Sequence, residues 1–351
     1  MPGTGNKAAR RSVRTYGLEE VHLADLTVKG LKMRKAVAPA GTEFDQTEPS
    51  WPRWAKSEAD APPSAPTAQG IAQQLEIVQQ EVDALRGELS AVRRRDETLN
   101  FYMHRLDEEL RLAARLQQDF LPKMLPRLGP VHFHALFRPA GYVSGDLYDV
   151  MRLDERRIGF YIADAVGHGM PAALLTMFIK HSLVTKEIVH DCYRLLTPAE
   201  ALSRLNIGLI DQNLSQAAFA TALYGIIDVD TLEVTIARAG HPAPLVLRNG
   251  GALDSLECDG PLLGIFSDAT FTDAKLTLSA GERLLLYTDG IEVAFCDDHT
   301  LDTQRWREEL MSRMTLPTEQ LLTDFAGRLD RESGSLEPKD DLTMVVLEVE
   351  P

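Results

Sequence analysis

Cysteine is scarce in this chain: Cys192, Cys258 and Cys296 are all that 351 residues contain. They are too few and too scattered for a disulfide framework or a thiolate zinc site. None is followed six residues later by the arginine that a cysteine-phosphatase loop requires. Long apolar runs are also missing. Nothing approaches the ~18 residues of a membrane span, and the N-terminus lacks the apolar core of a secretory signal. A reducing cytoplasm is the expected setting, with no membrane partner. Basic residues are in deficit, 37 Lys and Arg against 52 Asp and Glu, for a formal net charge of −15. That field repels nucleic-acid phosphates, so no nucleic-acid partner is expected. It suits a protein that gathers divalent cations at particular carboxylates. A kinase is excluded by the lack of a Gly-rich loop followed by a suitable Lys.

The chain divides by composition into three stretches. Residues 1–70 read as a disordered tail and linker. The first forty carry eight Lys or Arg against three acids, and Ala61-Pro-Pro-Ser-Ala-Pro-Thr-Ala-Gln-Gly70 has little to bury. Residues 71–120 carry an apolar heptad series. Steps of four and three from Ile71 reach Leu75, Val78, Val82, Leu85, Leu89, Val92, Leu99, Met103, Leu106, Leu110, Ala113 and Phe120, and only Asp96 and Gln117 break it. A sustained period of 3.5 predicts a coiled coil. A lone helix cannot bury such a seam, so a parallel homodimer is expected, the alternative being a helix folded back on its own domain. The register runs without a break into Leu116–Leu121, so changes of dimer packing are expected to reach the following domain. Leu121-Pro122 ends the helix.

Residues 121–351 read as one domain mixing strands and helices. Short β-branched or aromatic runs (131–137, 158–163, 218–227, 232–238, 243–248, 283–288, 343–349) alternate with helical patterns at 170–190, 198–214 and 303–333. The tight Asp228-Val-Asp-Thr231 turn implies a hairpin. Four acidic clusters sit at the ends of apolar runs: Gly145-Asp146-Leu-Tyr-Asp149, Asp164-Ala-Val-Gly-His-Gly169, Asp289-Gly-Ile-Glu292 and Asp340-Asp-Leu-Thr343. A carboxylate at a strand end is held by the sheet while its loop stays open to substrate. If the four converge, they repel unless a cation neutralises them. Oxygen ligands without Cys or His point to Mg²⁺ or Mn²⁺.

Any one Asp-Gly after a strand is ordinarily a turn. The ordered set is another matter. Leu116-Gln-Gln-Asp-Phe-Leu-Pro122, Ser144-Gly-Asp-Leu-Tyr-Asp149, Asp164-Ala-Val-Gly-His-Gly169, Phe219-Ala-Thr-Ala222, Ala239-Gly-His-Pro242, Gly260-Pro-Leu-Leu-Gly264, Tyr287-Thr-Asp-Gly290 and Asp340-Asp-Leu-Thr343 together resemble the SpoIIE/RsbU branch of the metal-dependent Ser/Thr protein phosphatases (PPM). The resemblance covers roughly residues 112–349. It implies an α+β fold, an α-β-β-α sandwich of two antiparallel sheets flanked by helices, here preceded by the long coiled-coil helix. It also implies two Mn²⁺ or Mg²⁺ ions. Asp164 would bridge both ions and the Ala165 carbonyl would contribute to one. Asp289 and Asp340 would bind the second ion, Asp146 would ligate directly or through water, and Asp341 would be its neighbour. Ser144 departs from a frequent Gly, tolerably if its side chain binds nothing.

The implied reaction is hydrolysis of phosphoserine or phosphothreonine by activated water, with Asp164, Asp146 and His168 as the catalytic set. His168 is open to two readings, a proton donor to the leaving oxygen or a structural hydrogen bond in a tight turn. His241 reads as structural. The implied partner is a phosphorylated STAS-type anti-sigma-factor antagonist. Two alternatives compete: Asp228-Val-Asp230 as a haloacid-dehalogenase-like nucleophile loop, and a non-catalytic dimeric scaffold that keeps the phosphatase shape.

Overall fold

The computed structural model describes residues 67–189, 192–214, 219–294, 305–332 and 340–351. The expected tail therefore lies outside the described residues as far as residue 66. Cα packing divides the chain at Leu75/Glu76, and of the earlier part only residues 67–75, the start of the first helix, are described. Helix α1 (Ala68–Phe120) is followed by strands β1 (Val131–Arg138), β2 (Asp146–Arg152) and β3 (Arg157–Ala165). Helix α2 (Met170–Ser182), strands β4 (Lys186–Val189) and β5 (Cys192–Leu195) and helix α3 (Pro198–Asp211) come next. Strands β6 (Ala220–Asp228), β7 (Glu233–Ala239), β8 (Leu245–Leu247), β9 (Leu253–Ser255), β10 (Ala274–Thr277) and β11 (Arg283–Tyr287) follow. Helices α4 (Gly290–Ala294), α5 (Arg305–Ser312) and α6 (Thr318–Glu332) precede the last strand, β12 (Leu342–Val349).

Two five-stranded sheets, ordered β1-β12-β11-β8-β9 and β10-β7-β6-β3-β2, contain only antiparallel neighbours. Side-chain parity explains how they stack. Along β3, Ile158, Phe160 and Ile162 enter the core between the sheets, while Tyr161, Ala163 and Ala165 pack under α2 and α3. Along β12, Val345, Leu347 and Val349 face the same central core, while Leu342, Met344 and Val346 pack beneath α5 and α6. Strands apolar on both faces must be covered on both faces. Four layers result, helix–sheet–sheet–helix, as the family resemblance implied. Phe133 and Phe160 meet across the sheets with ring centroids 5.6 Å apart.

Three expectations are revised. The helix expected over 170–190 stops at Ser182, where Leu183 turns extended (φ −69°, ψ 102°), and the β-branched stretch beyond forms the β4–β5 hairpin. Ser144 does use its side chain: its Oγ accepts a hydrogen bond from the Asp146 amide at 3.0 Å. The apolar series of α1 does not keep one face throughout. Val78, Leu85, Leu89, Val92, Leu99, Met103 and Leu106 are exposed, whereas Leu110 and Ala113 are half-buried and Gln117 is buried against the chain's own domain. The last turns of α1 are thus used within the subunit.

Candidate active site

Register sets the first half of the site. Asp154 accepts the Arg156 and Arg157 amides at 2.9 and 2.8 Å, which closes the β2–β3 turn and fixes the pairing behind it. At the far end of that hairpin Asp146 stands opposite Asp164, and Asp164 stands opposite Thr221 of β6. Both aspartates share the parity of Phe160 and Ile162, so they extend the face between the sheets, where the core turns from apolar to acidic. The second half comes from the other sheet. Thr288 donates its amide to the Thr343 carbonyl at 3.0 Å, continuing the β11–β12 ladder by one rung. Asp289 and the Asp340–Asp341 pair therefore leave that ladder at the same end. Gly290 allows this closeness, since a Cβ there would lie 1.9 Å from the Asp341 carbonyl oxygen.

The two halves are tied across the gap. Asp146 is 1% exposed, and its Oδ2 accepts the hydroxyls of Thr288 (2.8 Å) and Thr343 (2.6 Å). Burial pushes the Asp146 carboxyl well above its ordinary value and Asp164 adds to that, while the two hydroxyls pull it back. Asp341 accepts the Ala140 amide on Oδ1 (2.7 Å) and the Gly145 amide on Oδ2 (2.6 Å). Asp164 is pushed up to about 7, first by burial and then by the charges of Asp289, Asp340 and Asp341. Asp340 is raised too, mainly by burial, with Asp289 and Asp341 adding; the Asp341 amide and His168 pull the other way.

Asp164, Asp289, Asp340, Asp341 and His168 line one cleft of about 810 Å³, together with Ala165 and Thr221. Among the described residues no Lys or Arg lines this cleft, but Arg238 joins Asp164, Asp289 and Thr221 around a pocket that shares those residues. Asp146 is not in that lining; it lies beneath, sealed by the threonines. The donor chemistry fits hard divalent cations, because hard oxygens crowd together and burial with the neighbouring acids makes Asp164 hold a proton more readily than usual. The side chains share a cleft without closing on one point: among the described residues, no three His, Cys, Asp or Glu are arranged to hold an ion. His168 is exposed on the rim, in a turn where Gly167 and Gly169 take φ of 89° and 73°. His241 is 1% exposed and pairs through Nδ1 with the Thr221 hydroxyl at 2.8 Å; burial lowers it to about 3, so its imidazole is neutral. Asp228 sits at the opposite end of β6, where its Oδ1 receives the Asp230 and Thr231 amides of a turn. The nucleophile-loop alternative is disfavoured, because that carboxylate is spent on closing a turn away from the acidic cleft.

Sequence reasoning missed Thr288, Thr343 and Gln117. The two threonines were visible in principle, because they continue the inward parity of Leu286 and Val345 with a hydroxyl where an apolar residue is due.

With this geometry in place, residues 154–350 match the family model described as Stage II sporulation protein E (SpoIIE). The chain belongs to the SpoIIE family. Among SpoIIE-like relatives, phosphoserine phosphatase RsbP of Bacillus subtilis is 33% identical over 186 residues, 52% of this chain and 45% of RsbP. The chain thus spans under half the length of that relative. Phosphoserine phosphatase RsbU of the same organism is 26% identical over 72% of this chain and 73% of its own length. Among solved structures, the SiaA-PP2C domain of Pseudomonas aeruginosa superposes with a TM-score of 0.59 at 21% identity, covering 70% of this chain and 98% of that one. That likeness establishes the SpoIIE-family member's fold.

Proposed function

We propose that this protein is a Mn²⁺- or Mg²⁺-dependent phosphatase that hydrolyses phosphoserine or phosphothreonine on a protein, with residues 121–351 as the catalytic domain. The observation that carries the reading is the cleft that Asp164, Asp289, Asp340 and Asp341 line together. Two divalent ions, when bound, would supply water activation and neutralisation of the phosphoryl oxygens. The holding residues would be Asp164 for both ions, the Ala165 carbonyl for one, and Asp289 with Asp340 for the other. Asp341, gripped by two amides, presents a fixed carboxylate beside them. Asp146 acts from below, through water or by fixing the floor, because its Oδ2 is already committed to Thr288 and Thr343.

In the reaction a water oxygen bonds to phosphorus as the bond from phosphorus to the serine oxygen breaks. Serine leaves with a proton, and inorganic phosphate is the other product. His168, on the rim of the cleft, would give that proton. Acidic side chains at the mouth of the cleft disfavour a bare phosphate ester, so positive charge must be recruited before substrate binds.

The two relatives named phosphoserine phosphatases support phosphoserine as the substrate. By family resemblance the phosphoprotein is a STAS-type anti-sigma-factor antagonist, whose dephosphorylation would free a sigma factor. The exposed apolar row of α1 from Val78 to Leu106 supports a homodimer through a coiled coil. No helix among the described residues is long and apolar enough to cross a membrane, and the cytoplasm is the compartment we assign. One observation favours the non-catalytic scaffold instead, namely that the aspartates share no ligating point. A single assay separates the two. With Mn²⁺, wild type should release phosphate from a phosphoserine peptide, and Asp164→Ala and Asp289→Ala should reduce this at least about 100-fold. Equal rates in all three would leave the scaffold.

A further inference from the structure

Gln117 interrupts the apolar series of α1, yet it is the buried residue of that helix, 5% exposed. Its amide pairs with one residue in both directions. Nε2 donates to the Ser144 carbonyl at 2.6 Å, and Oε1 accepts the Ser144 amide at 2.8 Å. Only a group carrying a donor and an acceptor side by side makes this pair, and its two ends cannot be exchanged.

The segment it grips reaches three aspartates. The Ser144 amide is fixed by Gln117, the next amide, Gly145, donates to Asp341 Oδ2, and the next, Asp146, donates to Ser144 Oγ. Gly145 gives its carbonyl to the Ala165 amide at 2.9 Å, beside Asp164. The other oxygen of Asp341 is held by Ala140, at the start of the same segment. There is little slack: a Cβ on Gly145 would stand 3.0 Å from the Ala165 carbonyl oxygen.

We infer that Gln117 is a positioning residue for the proposed metal centre: by clasping the Ser144 backbone it fixes the amides that aim Asp341 into the cleft. The inference rests on the function proposed above. Removing the clasp leaves two buried main-chain groups unpaired and frees the peptide that orients Asp341. Residues that orient metal ligands from behind contribute about 10–100-fold to metal affinity.

The test uses the full chain. Mn²⁺ affinity is measured by calorimetry for wild type, Gln117→Leu and Gln117→Glu, alongside hydrogen exchange at the Gly145 amide in metal-free protein. Gln117→Leu should weaken Mn²⁺ binding about 10-fold or more and speed exchange at Gly145, while β12 amides stay protected. Its kcat should recover at saturating Mn²⁺ with the peptide KM unchanged, which a general loss of structure would not allow. Gln117→Glu keeps the acceptor for the Ser144 amide but sets an oxygen against its carbonyl, so it should fall between the two; it also serves if the leucine variant does not fold. Unchanged affinity together with unchanged Gly145 exchange overturns the inference. If wild type itself binds no Mn²⁺, the proposed function fails, and Gly145 exchange alone then decides whether the clasp positions Asp341.

Discussion

Asp164→Asn should stabilise the metal-free protein, and by an amount that depends on pH. In the folded chain burial and the neighbouring acids push Asp164 up from 3.8 to about 7. Between those values the folded protein holds a proton that the unfolded chain has released, so stability falls as pH rises from about 4 through 7. The shift is ~3 units at ~1.4 kcal/mol each, so ionising Asp164 costs about 4 kcal/mol by pH 8.5. Asparagine imitates the protonated acid and escapes that loss. It also removes the charge that raises Asp146, which acts in the same direction. In EDTA the variant should therefore exceed wild type by up to about 4 kcal/mol at pH 8.5 and by less than about 1 kcal/mol at pH 4. For a domain of this size that is roughly 8–16 °C in Tm. Melting curves of both proteins across that pH range read it directly. A gain equal at both ends of the range, or none at pH 8.5, would refute the view that crowded carboxylates strain the empty cleft.

Mn²⁺ should reverse the same strain in wild type, raising stability by about 2.7 kcal/mol at 100 times its Kd, and should do little for Asp164→Asn; thermal shift with and without EDTA checks this. Thr288→Val and Thr343→Val each remove a hydroxyl from the buried Asp146 oxygen and should each cost about 1–3 kcal/mol in urea unfolding. Gly290→Ala places a methyl against the Asp341 backbone and should cost about 3 kcal/mol or more, with Mn²⁺ affinity falling alongside stability; a neutral variant would contradict the packing at that turn. Charged replacements of Leu85 and Leu89 should convert a dimer to a monomer in sedimentation without loss of the folded domain.

The four-layer fold was legible through the ordered motifs and the family resemblance they carry; the apolar runs Ile158–Ala163 and Met344–Leu347, buried on both faces of their strands, are its physical counterpart. The aspartates were legible as strand-end acids, and their motif order carried the rest. Asp146 shows where that reading stops. Nothing in its motif distinguishes an acid lining the cleft from one beneath it, since the difference lies in two hydroxyls from a sheet more than a hundred residues later in the chain. Gln117 was hidden by its surroundings: inside an apolar heptad a polar residue looks like a flaw in the seam, and only the tertiary partner Ser144 reveals its use. The end of α2 was misjudged because Val184, Ile188 and Val189 fit helical spacing as readily as a strand.

Asp146 and Asp164 hang from one sheet, while Asp289, Asp340 and Asp341 hang from the other, so the distance separating the two acid groups is also the thickness of the filling between the sheets. A methylene gained or lost at Phe133, Phe160 or Leu347 would therefore be felt at the mouth of the cleft, and substitutions deep in that filling should present themselves in a screen as faulty chemistry in a protein that still folds.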